Sequence, residues 1–195
     1  MLLLKMIKDI IAIDVNDSVK IYYLDINEIR DDDEYGGFRV DLEVHLEKVR
    51  EKFHIDIATG DPITPCEIHY SYKPLFGDRS IDVYAYTIET VVSEKIETIL
   101  SRVETNSRMR DFYDIYLIYT NELNNIKIDT LKEAVKRTFK KRNHKNNVLD
   151  SFKIIETSEI IKSRWNAYRK NYKYAKDIEY DEIVKCINDL ITSVM

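Results

Sequence analysis

All four glycines and all three prolines of this 195-residue chain fall between Gly36 and Gly77, and neither residue type occurs from Asp78 to Met195. Glycine and proline punctuate turns and interrupt helices, so a long stretch free of both favours consecutive helices, while the part before it can hold strands and turns. In that first part VKIYYLDI, FRVDLEVHLE, FHIDIAT and SIDVYAY alternate apolar with polar residues or are rich in β-branched and aromatic types. Tyr35-Gly36-Gly37 and Gly60-Asp61-Pro62 separate them. The pattern predicts about four strands. Several connections are too short for a crossover helix, so neighbouring strands should run antiparallel. The opening MLLLKMIKDIIAI is broken by Lys5, Lys8 and Asp9 and lacks a small-residue cleavage site, which predicts an amphipathic helix rather than a leader.

From Thr87 the period changes to that of a helix, with Ile88, Val91, Val92, Ile96, Ile99 and Leu100 on one stripe. A helix is predicted over 87–102, with Thr87 as N-cap and Glu89 in the first turn, where an acid complements the helix dipole. Further helices are predicted over 108–122, 130–141, 147–161, 163–174 and 180–194, with a loop over 140–147. The expected class is α+β, a sheet domain over 1–86 followed by an all-helical domain over 87–195.

The net charge of −5 hides an uneven distribution. Residues 1–126 hold 14 Lys and Arg against 25 Asp and Glu, residues 127–173 hold 14 against 5, and residues 174–195 hold 2 against 5. An acidic body with one basic stretch points to a polyanion met by part of the surface. Cys66 and Cys186 match neither a zinc spacing nor a secreted disulfide framework, consistent with free thiols in the cytoplasm. No stretch approaches the roughly 20 apolar residues that cross a bilayer.

Asp56 sits between Ile55 and Ile57 in a strand pattern, so alternation sets it on the face opposite them. Beside another strand's acids it could hold Mg²⁺ for phosphoryl or nucleotidyl transfer; alone it could equally be a solvated strand acid. Lys95 follows Ile88 by seven residues and Arg102 follows Lys95 by seven, so both cations return to the apolar stripe of their helix. There they need an anion, such as a triphosphate or a protein carboxylate, or a route to water. Asp111 and Asp114 share a helix face with Ile115 and Ile118, preceded by Arg108 and Arg110. They could form ion pairs with Lys95 or Arg102, or one could act as general base toward an acceptor hydroxyl. In the basic stretch, VKRTFKKRNHK and SRWNAYRKNYKYAK interleave cations with Trp165, Tyr168, Tyr172 and Tyr174. That mixture suits phosphates and unpaired bases, and it also suits a charged helix with aromatics on its core side.

Taken together, DEYGGFRVDLE, FHIDIATGDPITP, EKIETILSR and RMRDFYDIYLI occur in the order expected of the abortive-infection nucleotidyltransferase toxins, and the chain resembles that AbiEii/AbiGii-like family over 21–119. The resemblance implies a polymerase-β-like nucleotidyltransferase fold with a mixed sheet and a helical C-terminal domain. It implies Mg²⁺-dependent transfer of a nucleotide from a nucleoside triphosphate to an acceptor such as a transfer RNA end, in a toxin paired with an antitoxin. By residue, Asp56 resembles a metal-binding carboxylate, Lys95 the lysine that holds nucleotide phosphates, and Arg110, Asp111 and Asp114 the last catalytic motif, with Asp111 as base; Arg102 is added as a substrate contact from its place on the helix stripe alone. The family pattern also has a Gly-Gly or Gly-Ser loop and an Asp-x-Asp strand ahead of the segment matching 1–14, and this sequence has neither, as if truncated at its N-terminus. Asp31-Asp32-Asp33 contains the spacing but reads as a hairpin connection. Without those carboxylates a two-metal site lacks its main ligands. Three readings follow: a toxin of that family whose missing part is supplied by another polypeptide or absent from a truncated reading frame, with an unfinished sheet edge that invites self-association; a non-catalytic nucleotide- or RNA-binding remnant; and an interhelical ion-pair network with no ligand.

Overall fold

The computed structural model describes residues 2–30 and 36–195. The architecture is α+β. It divides into two compact units, Met1–Asp61 and Pro62–Met195.

The first unit pairs helix α1 (Leu2–Ile11) with a three-stranded antiparallel sheet in the order β1 (Val19–Arg30), β2 (Gly36–Leu46), β3 (Val49–Ala58). Leu3, Ile7 and Ile11 recur every four residues on one face of α1 and pack with Val40 and Leu42 of β2 and with Tyr23, Ile26 and Ile57. In β2, Val40 and Leu42 alternate inward while Arg39 and Asp41 point to the other face. The ladder slips between Tyr23 and Asp25, which leaves Leu24 as a bulge. Gly37 lies opposite Ala58, and a Cβ there would stand 3.0 Å from the Ile57 carbonyl oxygen, so the close approach of β2 to β3 depends on glycine at that point. The Asp31-Asp32-Asp33 segment lies outside the described residues.

The second unit begins with a hairpin, β4 (Ile68–Tyr72) paired antiparallel with β5 (Ile81–Ala85). The helices α2 (Ile88–Arg102), α3 (Met109–Glu122), α4 (Ile128–Lys141), α5 (Val148–Thr157), α6 (Glu159–Asn171) and α7 (Tyr180–Val194) follow. Their shared core includes Ile96, Phe112, Leu131, Ile155, Trp165 and Ile187, all fully buried. Thr87 caps α2 as its sequence suggested, its hydroxyl accepting from the Thr90 N–H and donating to the Thr64 carbonyl. The Thr90 hydroxyl accepts from Thr64 N–H, and Arg137 of α4 donates to Ile63 O and Thr64 Oγ1. These bonds attach the 63–64 segment to the helices, which explains why the chain divides at Asp61 rather than between Tyr86 and Thr87.

Two elements differ from the sequence reading. Strand β4 was not among the predicted strands. The break expected between helices over 147–161 and 163–174 lies earlier, at Ser158, because the Ser158 hydroxyl accepts from Ile161 N–H and opens α6 at Glu159.

Candidate functional site

Helices α2 and α3 bring together three of the residues singled out from the sequence. Lys95 reaches from the middle of α2 between two carboxylates of α3, with Nζ 3.1 Å from Asp111 Oδ1 and 2.6 Å from Asp114 Oδ2. The i, i+3 spacing of the aspartates puts both on the turn that faces α2. The Asp111 side chain is 6% exposed, against 19% for Lys95 and 25% for Asp114. Asp114 is therefore the member most open to a ligand. Arg108, just ahead of α3, brings its Nε to 2.9 Å from Asp111 Oδ2. The contact lacks the angle of a hydrogen bond, so that buried oxygen has a cation beside it and no donor aligned on it. Two cations and two carboxylates balance, which is what permits so much charge at a half-buried helix contact.

Arg102 lies in the last turn of α2, where its carbonyl accepts from the Thr105 hydroxyl. Arg110 is exposed on the first turn of α3. Asp56 belongs to the first unit. Its cross-strand neighbour is Arg39, whose Nε and Nη2 each donate to one Asp56 oxygen at 2.7 Å. The sequence left room for acids on the adjacent strand; the register supplies a cation instead. That pairing holds the Asp56 carboxyl below the usual carboxylate range.

A Mg²⁺ ion of the kind the resemblance implies does not fit the described donors. Both oxygens of Asp56 are taken by one guanidinium, and the space between Asp111 and Asp114 is filled by the Lys95 ammonium. Among the described residues no three His, Cys, Asp or Glu side chains converge in a way that could hold a metal ion.

A second ionic cluster escaped the sequence reading. Buried Glu97 on α2 meets Arg142 Nη1 at 3.2 Å and His144 Nδ1 at 3.1 Å, and the His144 ring packs 4.3 Å from that of Phe139. Asn146 Nδ2 donates to the carbonyls of Leu100 and Ser101, satisfying acceptors at the end of α2. The cluster clasps the 142–146 loop to α2. The sequence carries no signal for it: Glu97 is two residues from Lys95 and so about 200° round the helix from it, off the apolar stripe, on the side of Thr90 and Ser93, which are buried only by tertiary packing.

The basic stretch separates into core and surface. Trp165 is fully buried and donates from its indole N–H to the Ile178 carbonyl, a core role. Tyr172 and Tyr174 are exposed. Among the described residues no helix is long and apolar enough to cross a membrane.

Comparison with known proteins places the chain in a family. The sequence matches, over residues 3–186, the family described as nucleotidyl transferase AbiEii toxin of type IV toxin–antitoxin systems, and the chain belongs to that family. No curated protein matches it. Among solved structures it is similar to JHP933 from Helicobacter pylori, at 13% identity with a TM-score of 0.46 over 100% of this chain and 70% of that one. It is also similar to a candidate nucleotidyltransferase from H. pylori, at 15% identity with a TM-score of 0.43 over 100% and 72%.

Proposed function

We propose that this member of the AbiEii toxin family transfers a nucleotide from a nucleoside triphosphate to a hydroxyl of an acceptor such as a transfer RNA end, with Lys95, Asp111 and Asp114 at the reacting end. The observation that supports this reading is the single lysine held between one buried and one more open carboxylate on facing helices. The acceptor oxygen would attack the α-phosphorus, the bond from that phosphorus to the bridging oxygen would break, and pyrophosphate would leave. Phosphate oxygens compete with carboxylates for an ammonium, so an arriving triphosphate would draw Lys95 from Asp114. Asp114 would then be free to take the proton of the acceptor hydroxyl. Asp111, buried and flanked by Arg108, would keep Lys95 in place. The sequence reading favoured Asp111 as base; the greater exposure of Asp114 favours the latter. No step is assigned to a metal ion. Arg102 and Arg110 remain substrate contacts in this proposal, the toxin would work in the cytoplasm, and its antitoxin is the expected protein partner.

The test is incubation of the purified chain with Mg²⁺, total transfer RNA and each labelled nucleoside triphosphate in turn, beside Lys95→Ala and Asp114→Asn. Transfer that is lost in both folded variants supports the proposal. No transfer with any nucleotide by the folded wild-type chain overturns it. The described donor set favours one second reading, a nucleotide- or RNA-binding protein without transfer, in which Lys95→Ala weakens nucleotide binding although no product forms. If Lys95→Ala lowers stability and leaves nucleotide binding unchanged, the three residues are an interhelical tie and nothing more.

A further inference from the structure

The tyrosines that follow the buried Trp165 gather around the helix that holds Asp111 and Asp114. Tyr113, next to Asp114 in the chain, has its ring centroid 4.7 Å from that of Tyr174. Tyr174 lies 5.4 Å from Tyr172, and Tyr172 lies 4.5 Å from Tyr168, which stacks on Trp165 at 5.3 Å. The hydroxyls of Tyr168 and Tyr174 are hydrogen-bonded at 2.8 Å. The inner end of this row is core, whereas at its outer end Tyr172 is 45% and Tyr174 54% exposed. Such a row is more than packing requires. A core would turn these rings inward, yet two of them remain open to water beside the catalytic candidates.

Cations border the open rings. Lys170, Lys173 and Lys176 are exposed and have no ion-pair partner among the described residues, in contrast to Arg169, which both donates to Lys176 O and pairs with Glu179. Burial and the Tyr174 hydrogen bond push the Tyr168 hydroxyl well above the usual tyrosine range, and the charges of Asp114 and Arg110 act on it as well. The row thus lies within electrostatic reach of both residues.

We infer that Tyr172 and Tyr174, backed by Tyr113 and Tyr168 and bordered by Lys170, Lys173 and Lys176, form a stacking shelf for the unpaired bases at the 3′ end of a single-stranded RNA, which it presents toward Asp114. Aromatic faces accept any base, and lysines accept the phosphates between them, so binding is tolerant of sequence and sensitive to salt. Two open rings and three lysines along one chain segment suit several linked nucleotides better than the single base of a triphosphate. The inference rests on the nucleotidyltransfer reading for its purpose, but the binding itself needs no chemistry.

The test uses the full chain and a short single-stranded RNA whose last base is 2-aminopurine, a base whose fluorescence is quenched on stacking. Quenching is expected with wild type. Tyr172→Ala and Tyr174→Ala should each weaken binding about tenfold and relieve the quench, while Tyr172→Phe and Tyr174→Phe, which keep the ring, should retain both. Unchanged thermal unfolding of the alanine variants separates lost stacking from lost fold. Unchanged quenching in both alanine variants overturns the inference. So does equal affinity for the same RNA paired into a blunt duplex, or quenching by 2-aminopurine nucleoside triphosphate but not by the RNA. If the shelf binds RNA as expected and no nucleotide is transferred, the shelf stands and the enzymatic reading falls. If transfer occurs and the alanine variants bind RNA normally, the reverse holds.

Discussion

Lys95 holds two carboxylates from one turn of α3, and its ion pairs are nine-tenths shielded at Asp111 and only three-quarters shielded at Asp114. Replacing it by Met would leave Asp111 with Arg108 alone and Asp114 without its cation. Breaking a buried pair on one side costs ~3–5 kcal/mol, and partial exposure here reduces that to about 2 kcal/mol, readable as a lower denaturation midpoint. Lys95→Met with Asp111→Leu and Asp114→Leu should recover most of that stability and no transfer. The thiols give a second residue-scale prediction. Cys66 is exposed, whereas burial pushes the Cys186 thiol up to about 11 from 9.0. At pH 8 a thiol reagent should label one cysteine quickly and the other only on unfolding. Because its folded value is raised, Cys186 contributes stability that is complete below pH 9.0 and is lost as pH rises toward 11. At this scale the sequence was informative where periodicity conflicted with residue type. Lys95 and Asp111 stood out because a charge occupied an apolar stripe. The Arg39–Asp56 pair was invisible, because strand register decides which residue faces Asp56 and no periodicity reports it.

The elements were legible where a local signal ended them. Helix α2 begins at its Thr87 cap, and α7 spans the predicted 180–194. Strand β4 was missed since IHYSY is short and followed by Lys73-Pro74, a stretch that reads as loop until β5 pairs with it. The α5–α6 break falls at Ser158 rather than after Ile161 for a different reason. Ile154, Ile155, Ile160 and Ile161 keep a helix-like apolar period across Ser158 and so conceal the cap between them. What stops α5 is tertiary: the Ser158 hydroxyl donates to Glu104 Oε1 at 2.6 Å, fixing the corner against the turn after α2. Ser158→Ala removes both the cap and that bond, and should lower the stability of the helical unit by about 1–2 kcal/mol. Chemical denaturation followed by the emission of Trp165, the single tryptophan, reads it directly. A change below a few tenths of a kcal/mol would mean that the apolar period, not the cap, sets the corner.

At the scale of the molecule the two units are unequal. In the helical unit a continuous core runs through six helices and is joined by buried polar contacts such as Ser93 to Thr138 at 2.9 Å. Among the described residues of the first unit only Ile7, Val40 and Leu42 form the buried apolar cluster, and strand β3 leaves Phe53 and Ile55 more than a third exposed. Small domains bury a smaller share of their surface and are correspondingly marginal. Residues 62–195, expressed alone, should therefore unfold cooperatively with a buried Trp165, retain the Lys95 cluster, and bind the single-stranded RNA probe as the full chain does. Residues 1–61 alone should lack a cooperative transition at low concentration. Among the described residues β1 and β3 each have a neighbour on one side only, so this fragment should also gain strand content as its concentration rises, by pairing open edges. Circular dichroism across a dilution series distinguishes the outcomes. A concentration-independent, cooperative transition in 1–61 would show that three strands and one helix suffice, and that self-association through the sheet has no energetic motive in the full protein.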